Sequence, residues 1–128
     1  MSQPEVFVLS AARTAIGTFG GSLKDVPLTQ LATTAVREAL SRSGVQPADI
    51  GHVVLGNVIP TDVRDAYLSR VAAIESGIPQ ETPAFNVNRL CGSGLQAVVS
   101  AAQTLVLGEG DFAIGGRGGG KWRGPSLK

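Results

Sequence analysis

The chain has 128 residues, 43% hydrophobic and 16% charged, a balance that suits one globular domain and excludes a disordered chain. Its net charge of +1 is unevenly spread: Arg117, Lys121, Arg123 and Lys128 close the chain without an acid, leaving seven basic against ten acidic residues in residues 1–116, about −3 and no footprint for nucleic acid. One cysteine and one histidine exclude an internal disulfide framework and a structural zinc site built from this chain alone.

No apolar run approaches the length needed to cross a bilayer. Met1–Ser10 contains Glu5 and no basic n-region, so it does not read as a secretory signal. The expected setting is a reducing, cytoplasmic one.

In chain order, Glu5–Ser10 (EVFVLS) reads as a first, buried strand, followed by a Gly-containing loop over Ala11–Lys24. Leu28, Leu31, Ala32, Ala35, Val36, Ala39 and Leu40 recur at i, i+3, i+4, i+7, i+8, i+11 and i+12. That spacing predicts an amphipathic helix, with Pro27 near its start and Gly44 just past its end. His52–Ile59 reads as a second strand closed by Pro60. Tyr67–Glu75 reads as a second helix, with Asp62 or Asp65 near its N-terminus and Gly77 beyond its C-terminus.

Ala84–Val87 is a short third strand, and a third helix is expected from Cys91 or Gly92 to Leu107. Leu95, Val98, Val99, Ala102 and Val106 line one face of it, and Gly108 stops it. Asp111–Gly115 is a fourth strand. Alternating strands and helices imply βαβ units, hence an α/β fold with a mostly parallel sheet and covering helices. Residues 1–116 form the expected domain. Residues 117–128 (RGGGKWRGPSLK) lack periodicity and are expected to be a disordered basic tail.

In parallel sheets reactive groups gather at the carboxyl ends of the strands. Cys91 lies at such an end, in Asn88-Arg89-Leu90-Cys91-Gly92-Ser93-Gly94 between the third strand and third helix. A thiol at the first turn of a helix faces unpaired N–H groups and the positive end of the macrodipole, which favour the reactive thiolate. Gly92 and Gly94 remove side-chain bulk where a substrate must approach. The residues alone leave a second reading open, a structural cysteine. A second motif, Gly115–Lys121, has the G-x-x-x-x-G-K spacing of a P-loop. Trp122 replaces its Ser/Thr, and Gly124 and Pro125 preclude the following helix, so nucleotide binding is not expected.

Asn88–Gly94 with Leu95-Gln96-Ala97 resembles the nucleophile segment of thiolases, the acyl-CoA acetyltransferases. Arg13–Leu23 (RTAIGTFGGSL) is similar to that family's N-terminal motif, and Leu55-Gly56-Asn57-Val58 and Arg70-Val71-Ala72-Ala73 match the segments expected between. The likeness covers about residues 5–116, and the wording at Asn57–Ile59 and Asn88–Leu90 is nearest bacterial β-ketothiolases. The resemblance implies a thiolase-like N-terminal domain, incomplete, with Cys91 as the acyl-carrying nucleophile and its backbone N–H as an oxyanion donor. Asn88 and Gly92 would shape the nucleophile loop. It implies thiolysis of 3-ketoacyl-CoA or condensation of acetyl-CoA, with coenzyme A and acyl-CoA as substrates, no permanently bound cofactor or metal, and a homo-oligomer. A remoter relation to ketoacyl synthases is argued against by the Arg13–Leu23 motif.

The resemblance also implies what is missing. The family's base His, second acid/base Cys, Asn-Glu-Ala-Phe motif and coenzyme-gripping loop domain have no counterpart here, and neither does the strand supplied after that loop domain. His52 sits on a predicted strand at the wrong place to be that base and is expected to be structural. Arg13 and Arg89, flanking strand ends, are expected in ion pairs or an interface. The chain alone is therefore expected to turn over little, and the alternative reading is a non-catalytic thiolase fragment keeping at most a family-type dimer surface.

Overall fold

The computed structural model describes Ser2 and residues 4–120. Leu28–Ser43 forms α1, starting after Pro27 and ending on Gly44, whose φ of 72° lets its N–H reach back to the Leu40 carbonyl. Leu28, Ala32, Val36 and Leu40, four of the residues the spacing picks out, are buried. Ile50–Gly56 forms β1, and Val63–Tyr67 is a single 3-10 turn leading directly into α2, Leu68–Glu75. Asp62 caps this turn reciprocally with Asp65, and Gly77 takes the left-handed conformation beyond α2.

Ala84–Val87 is β2, Ser93–Val106 is α3 and Phe112–Arg117 is β3. The sheet is three-stranded, fully parallel, ordered β2-β1-β3. The α/β reading therefore holds, with three strands among the described residues where four were expected. β1 is central and covered on both faces, which explains its unbroken Val53-Val54-Leu55 run. Ile50, Val53 and Leu55 join α1 and α2 in one core, while Val54 meets Ala97 and Ala101 of α3 in the other.

Glu5–Ser10 is not a strand. It finds no ladder partner among the described residues, and Phe7 and Val8 stand 71% and 82% exposed. It is held only at its end, where Ser10 Oγ donates to the Ala39 carbonyl and Arg42 donates to the Ala11 carbonyl. β1 ends at Gly56 rather than Ile59; the Asn57 N–H makes a last bond to the Val87 carbonyl, and its side-chain amide donates to the Asp65 carbonyl.

α3 turns its small side to the sheet. The aliphatic stripe predicted from spacing exists, but it faces away from the sheet: Leu95 is 74% exposed and Val98, Val99 and Val106 are also open. The side against the sheet is Ser93, Ala97, Ala101 and Thr104. Glycines explain the closeness. A Cβ on Gly115 would stand 2.7 Å from the Val98 Cα, and one on Gly56 would stand 2.7 Å from the Ser93 carbonyl oxygen. A helix seated this tightly on two strands has room only for small side chains beneath it.

The structured body runs past Gly116. Arg117 closes β3, the Gly118 N–H donates to the Gly56 carbonyl, and Gly118 packs against Leu28 and Leu68. Within the P-loop-like spacing, Gly115–Arg117 is strand; Lys121 and the rest of the basic tail lie outside the described residues.

Candidate active site

β2 delivers the chain to the carboxyl edge of the sheet, where Val87 pairs with Gly56. The next five residues, 88–92, turn back to start α3. Asn88 opens this turn: its Oδ1 accepts from the Leu90 N–H at 3.0 Å, and its Nδ2 donates to the Val58 carbonyl at 3.4 Å. The Gly92 N–H closes on the Arg89 carbonyl at 3.0 Å. Between them Leu90 has a φ of 50°, the one non-glycine residue in the left-handed region among the described residues. Such a conformation is a genuine outlier for a bulky side chain.

Cys91 follows Leu90 and is exposed as a free thiol. α3 begins two residues later than the cysteine, at Ser93 with Gly92 as N-cap, so the thiol stands just before the helix rather than within its first turn. Asn88 and Gly92, expected to shape the loop, are both part of this hydrogen-bonded turn. A Cβ on Gly92 would meet the Arg89 carbonyl oxygen at 3.4 Å, an ordinary contact, so the turn itself does not demand a glycine there. Gly94 answers to the sheet: a Cβ there would lie 3.2 Å from the Arg117 Cβ.

Spacing did not single out Ser93. It is fully buried, accepts from the Arg89 N–H at 2.8 Å and donates to the Leu90 carbonyl at 2.7 Å. The available signal was a Ser three residues after Leu90 at a helix start, the pattern of a side chain that closes on nearby backbone.

His52 sits four residues before the end of β1, about 13 Å from that edge along the strand. Its ring meets Phe85 edge-on at 5.5 Å, and its Nδ1 lies 4.0 Å from a Glu109 carboxylate oxygen. This is a packed strand residue. Arg89 donates to the Gln96 side chain at 2.7 Å and Arg13 to the Thr14 carbonyl; neither makes an ion pair among the described residues. No group of three or more His, Cys, Asp or Glu gathers to hold a metal among the described residues. A concavity lined by Arg13, Thr34, Arg37, Glu38 and Ser41 lies along α1 and does not include Cys91.

Residues 6–120 match the family described as thiolase, N-terminal domain. A β-ketothiolase of Cupriavidus necator is 60% identical over 123 residues, covering 96% of this chain and 31% of that protein. An acetyl-CoA acetyltransferase of the same organism is 40% identical over 112 residues, covering 88% of this chain and 28% of its own length. Among solved structures, the Bacillus anthracis acetyl-CoA acetyltransferase superposes with a TM-score of 0.80 at 37% identity, over 86% of this chain and 28% of that one. Human mitochondrial 3-ketoacyl-CoA thiolase in complex with CoA gives 0.79 at 42% identity, over 81% and 26%. The chain thus spans under a third of the length of the curated relatives it matches. With an all-parallel sheet that carries its one thiol at the carboxyl edge, and with a domain match across nearly its whole length, the chain belongs to the thiolase family of acyltransferase enzymes, in the N-terminal part of that family's fold.

Proposed function

We propose that the protein serves acyl-CoA C-acetyltransferase chemistry of the β-ketothiolase kind, with Cys91 as the acyl-carrying nucleophile. The observation that carries this reading is the placement of the chain's one cysteine, exposed in the turn from β2 to α3. In the thiolytic direction the Cys91 thiolate adds to the keto carbon of a 3-ketoacyl-CoA. The bond between C2 and C3 then breaks, the acetyl-CoA fragment departs and takes up a proton, and the acyl group remains as a thioester on Sγ. The thiol of free coenzyme A gives up a proton and adds to that thioester. Collapse releases the shortened acyl-CoA and returns the Cys91 thiolate. Run backwards, the same steps condense acetyl units. The Cys91 backbone N–H is assigned as a donor to the developing oxyanion, and Asn88 and Gly92 as the residues that hold the loop.

Coenzyme A enters as a substrate rather than a resident cofactor, a reading supported by the CoA complex of the human relative. The proposal includes a homo-oligomeric assembly and a cytoplasmic setting; no helix among the described residues is long and apolar enough to cross a membrane.

Alkylation tests the reading. Cys91 should react with iodoacetamide at neutral pH faster than a cysteine in a free peptide, and prior incubation with acetyl-CoA should leave an acetyl group on the Cys91 peptide and block labelling. Labelling no faster than the peptide, with no acetyl transfer, would sink it. His52 stands at the wrong end of β1 to act as base. Purified as 128 residues, the chain should therefore cleave acetoacetyl-CoA at least about 10²–10⁴-fold more slowly than a whole thiolase, the usual share of general acid–base assistance.

A second reading, a non-catalytic thiolase fragment that acts through a docking face, is favoured by the open aliphatic side of α3. Normal labelling and acetylation of Cys91 argue against it.

A further inference from the structure

We propose that Ser93 is a positioning residue for Cys91, holding the nucleophile turn in the strained conformation that presents the thiol; this rests on the nucleophile reading above. Three observations meet at one hydroxyl. Leu90, immediately before Cys91, has a φ of 50°, where its Cβ crowds its own backbone. A bulky residue stays there only when its surroundings over-determine it, and Ser93 Oγ supplies bonds on both sides of Leu90. It accepts from the Arg89 N–H at 2.8 Å and donates to the Leu90 carbonyl at 2.7 Å. The Ser93 N–H bonds that same carbonyl at 3.2 Å.

The hydroxyl itself has no freedom to move away. Ser93 is fully buried where β1 ends, so close to Gly56 that a Cβ on that glycine would stand 2.9 Å from the Ser93 Cβ. The rigid end of the central strand thereby fixes the serine, and the serine fixes the turn. Leu90 contributes little packing in return, since the residue is 70% exposed. Its backbone is therefore what Ser93 controls, and Cys91 is the next residue along it.

Removing the hydroxyl should let Leu90 relax to a negative φ and swing the thiol away from the mouth of α3. The test is made on the 128-residue chain, whose one cysteine makes labelling unambiguous. Ser93→Ala should slow both iodoacetamide labelling and acetyl transfer from acetyl-CoA by about 10-fold or more, the scale on which small misplacements of a reacting group cost rate. Leu90 Cα and Cβ chemical shifts should move from left-handed to extended values. Leu90→Gly places the residue that favours positive φ at the strained site, so the Ser93→Ala/Leu90→Gly pair should recover most of the rate. A merely structural serine would not be rescued by a change at an exposed neighbour. Ser93→Thr, which keeps the hydroxyl, is the second variant and should label at close to the wild-type rate if Ser93→Ala fails to fold.

Wild-type labelling that is fast and unchanged in Ser93→Ala overturns this inference alone. So does a slow Ser93→Ala that Leu90→Gly does not rescue, or a folded Ser93→Thr as slow as peptide-level labelling. Wild-type labelling no faster than a free peptide defeats the nucleophile reading itself, and this inference with it.

Discussion

α1, packed with α2, lies on the face of β1 opposite α3, yet α1 and α3 are built in opposite ways. α1 turns Leu28, Val36 and Leu40 inward, and its exposed side includes Arg37, Glu38 and Arg42. α3 turns Ser93, Ala97, Ala101 and Thr104 inward and its aliphatics outward, and it carries no charged residue over its 14 positions. The first is an ordinary surface helix, held by the volume of what it buries. The second is held by closeness, through glycines on β1 and β3, and presents an apolar face outward. Amphipathicity alone does not say which way a helix faces: where the strands beneath are glycine-bearing, the small side wins the interior.

The largest effect that distinguishes the two is a cavity under α1. Leu28→Ala should cost about 2–5 kcal/mol in urea unfolding, because Leu28 is 1% exposed and packs in the α1–α2 core. The converse change belongs to α3: Ala97→Leu should cost about 1–3 kcal/mol by overpacking against Val54, whereas added volume would be tolerated were the helix loosely seated.

A smaller effect reads the α1–α2 contact electrostatically. A hydrogen bond from Arg64 holds the Glu75 carboxyl below the usual carboxylate range, aided by Thr33 of α1. A carboxylate whose folded value is depressed contributes stability that is present above its unfolded range, near pH 4.3, and is lost as the pH falls through the lower folded value. Glu75 is 37% exposed, so the contribution is screened and should stay under about 1 kcal/mol. Stability curves of wild type and Glu75→Gln should differ at neutral pH and converge as acid protonates the native carboxylate; a constant offset across pH would refute the assignment. The smallest effect is on the outer stripe. Leu95→Gln should change unfolding free energy by less than about 0.5 kcal/mol while raising solubility, and a loss above about 2 kcal/mol would mean that this face is covered within the chain.

Much of this was legible in the residues. The α1 stripe, the glycines at 44 and 77, and the position of Cys91 after the third strand all follow from local rules that tertiary structure left alone. Glu5–Ser10 failed because strand composition does not supply a strand's partner. The α3 stripe follows from spacing but the way it faces does not, since the periodicity of large side chains carries no trace of Gly56 and Gly115, far away in sequence. Ser93 escaped for a related reason: its importance lies in the φ of Leu90, and a leucine gives no sign in sequence that it sits in the left-handed region.

The order β2-β1-β3 also sets a timetable. The middle strand is made first, and its second neighbour pairs with it only once Phe112–Arg117 exists, with Ile50 meeting Phe112 across 62 positions. At translation rates of about 5–20 residues per second, one edge of β1 waits roughly 3–12 s before anything can close it. No hairpin shortens that wait, because parallel neighbours cannot be joined by a tight turn. During synthesis the Val53-Val54-Leu55 run stays open along that edge until Phe112–Arg117 emerges, the kind of non-local pairing that closes slowly.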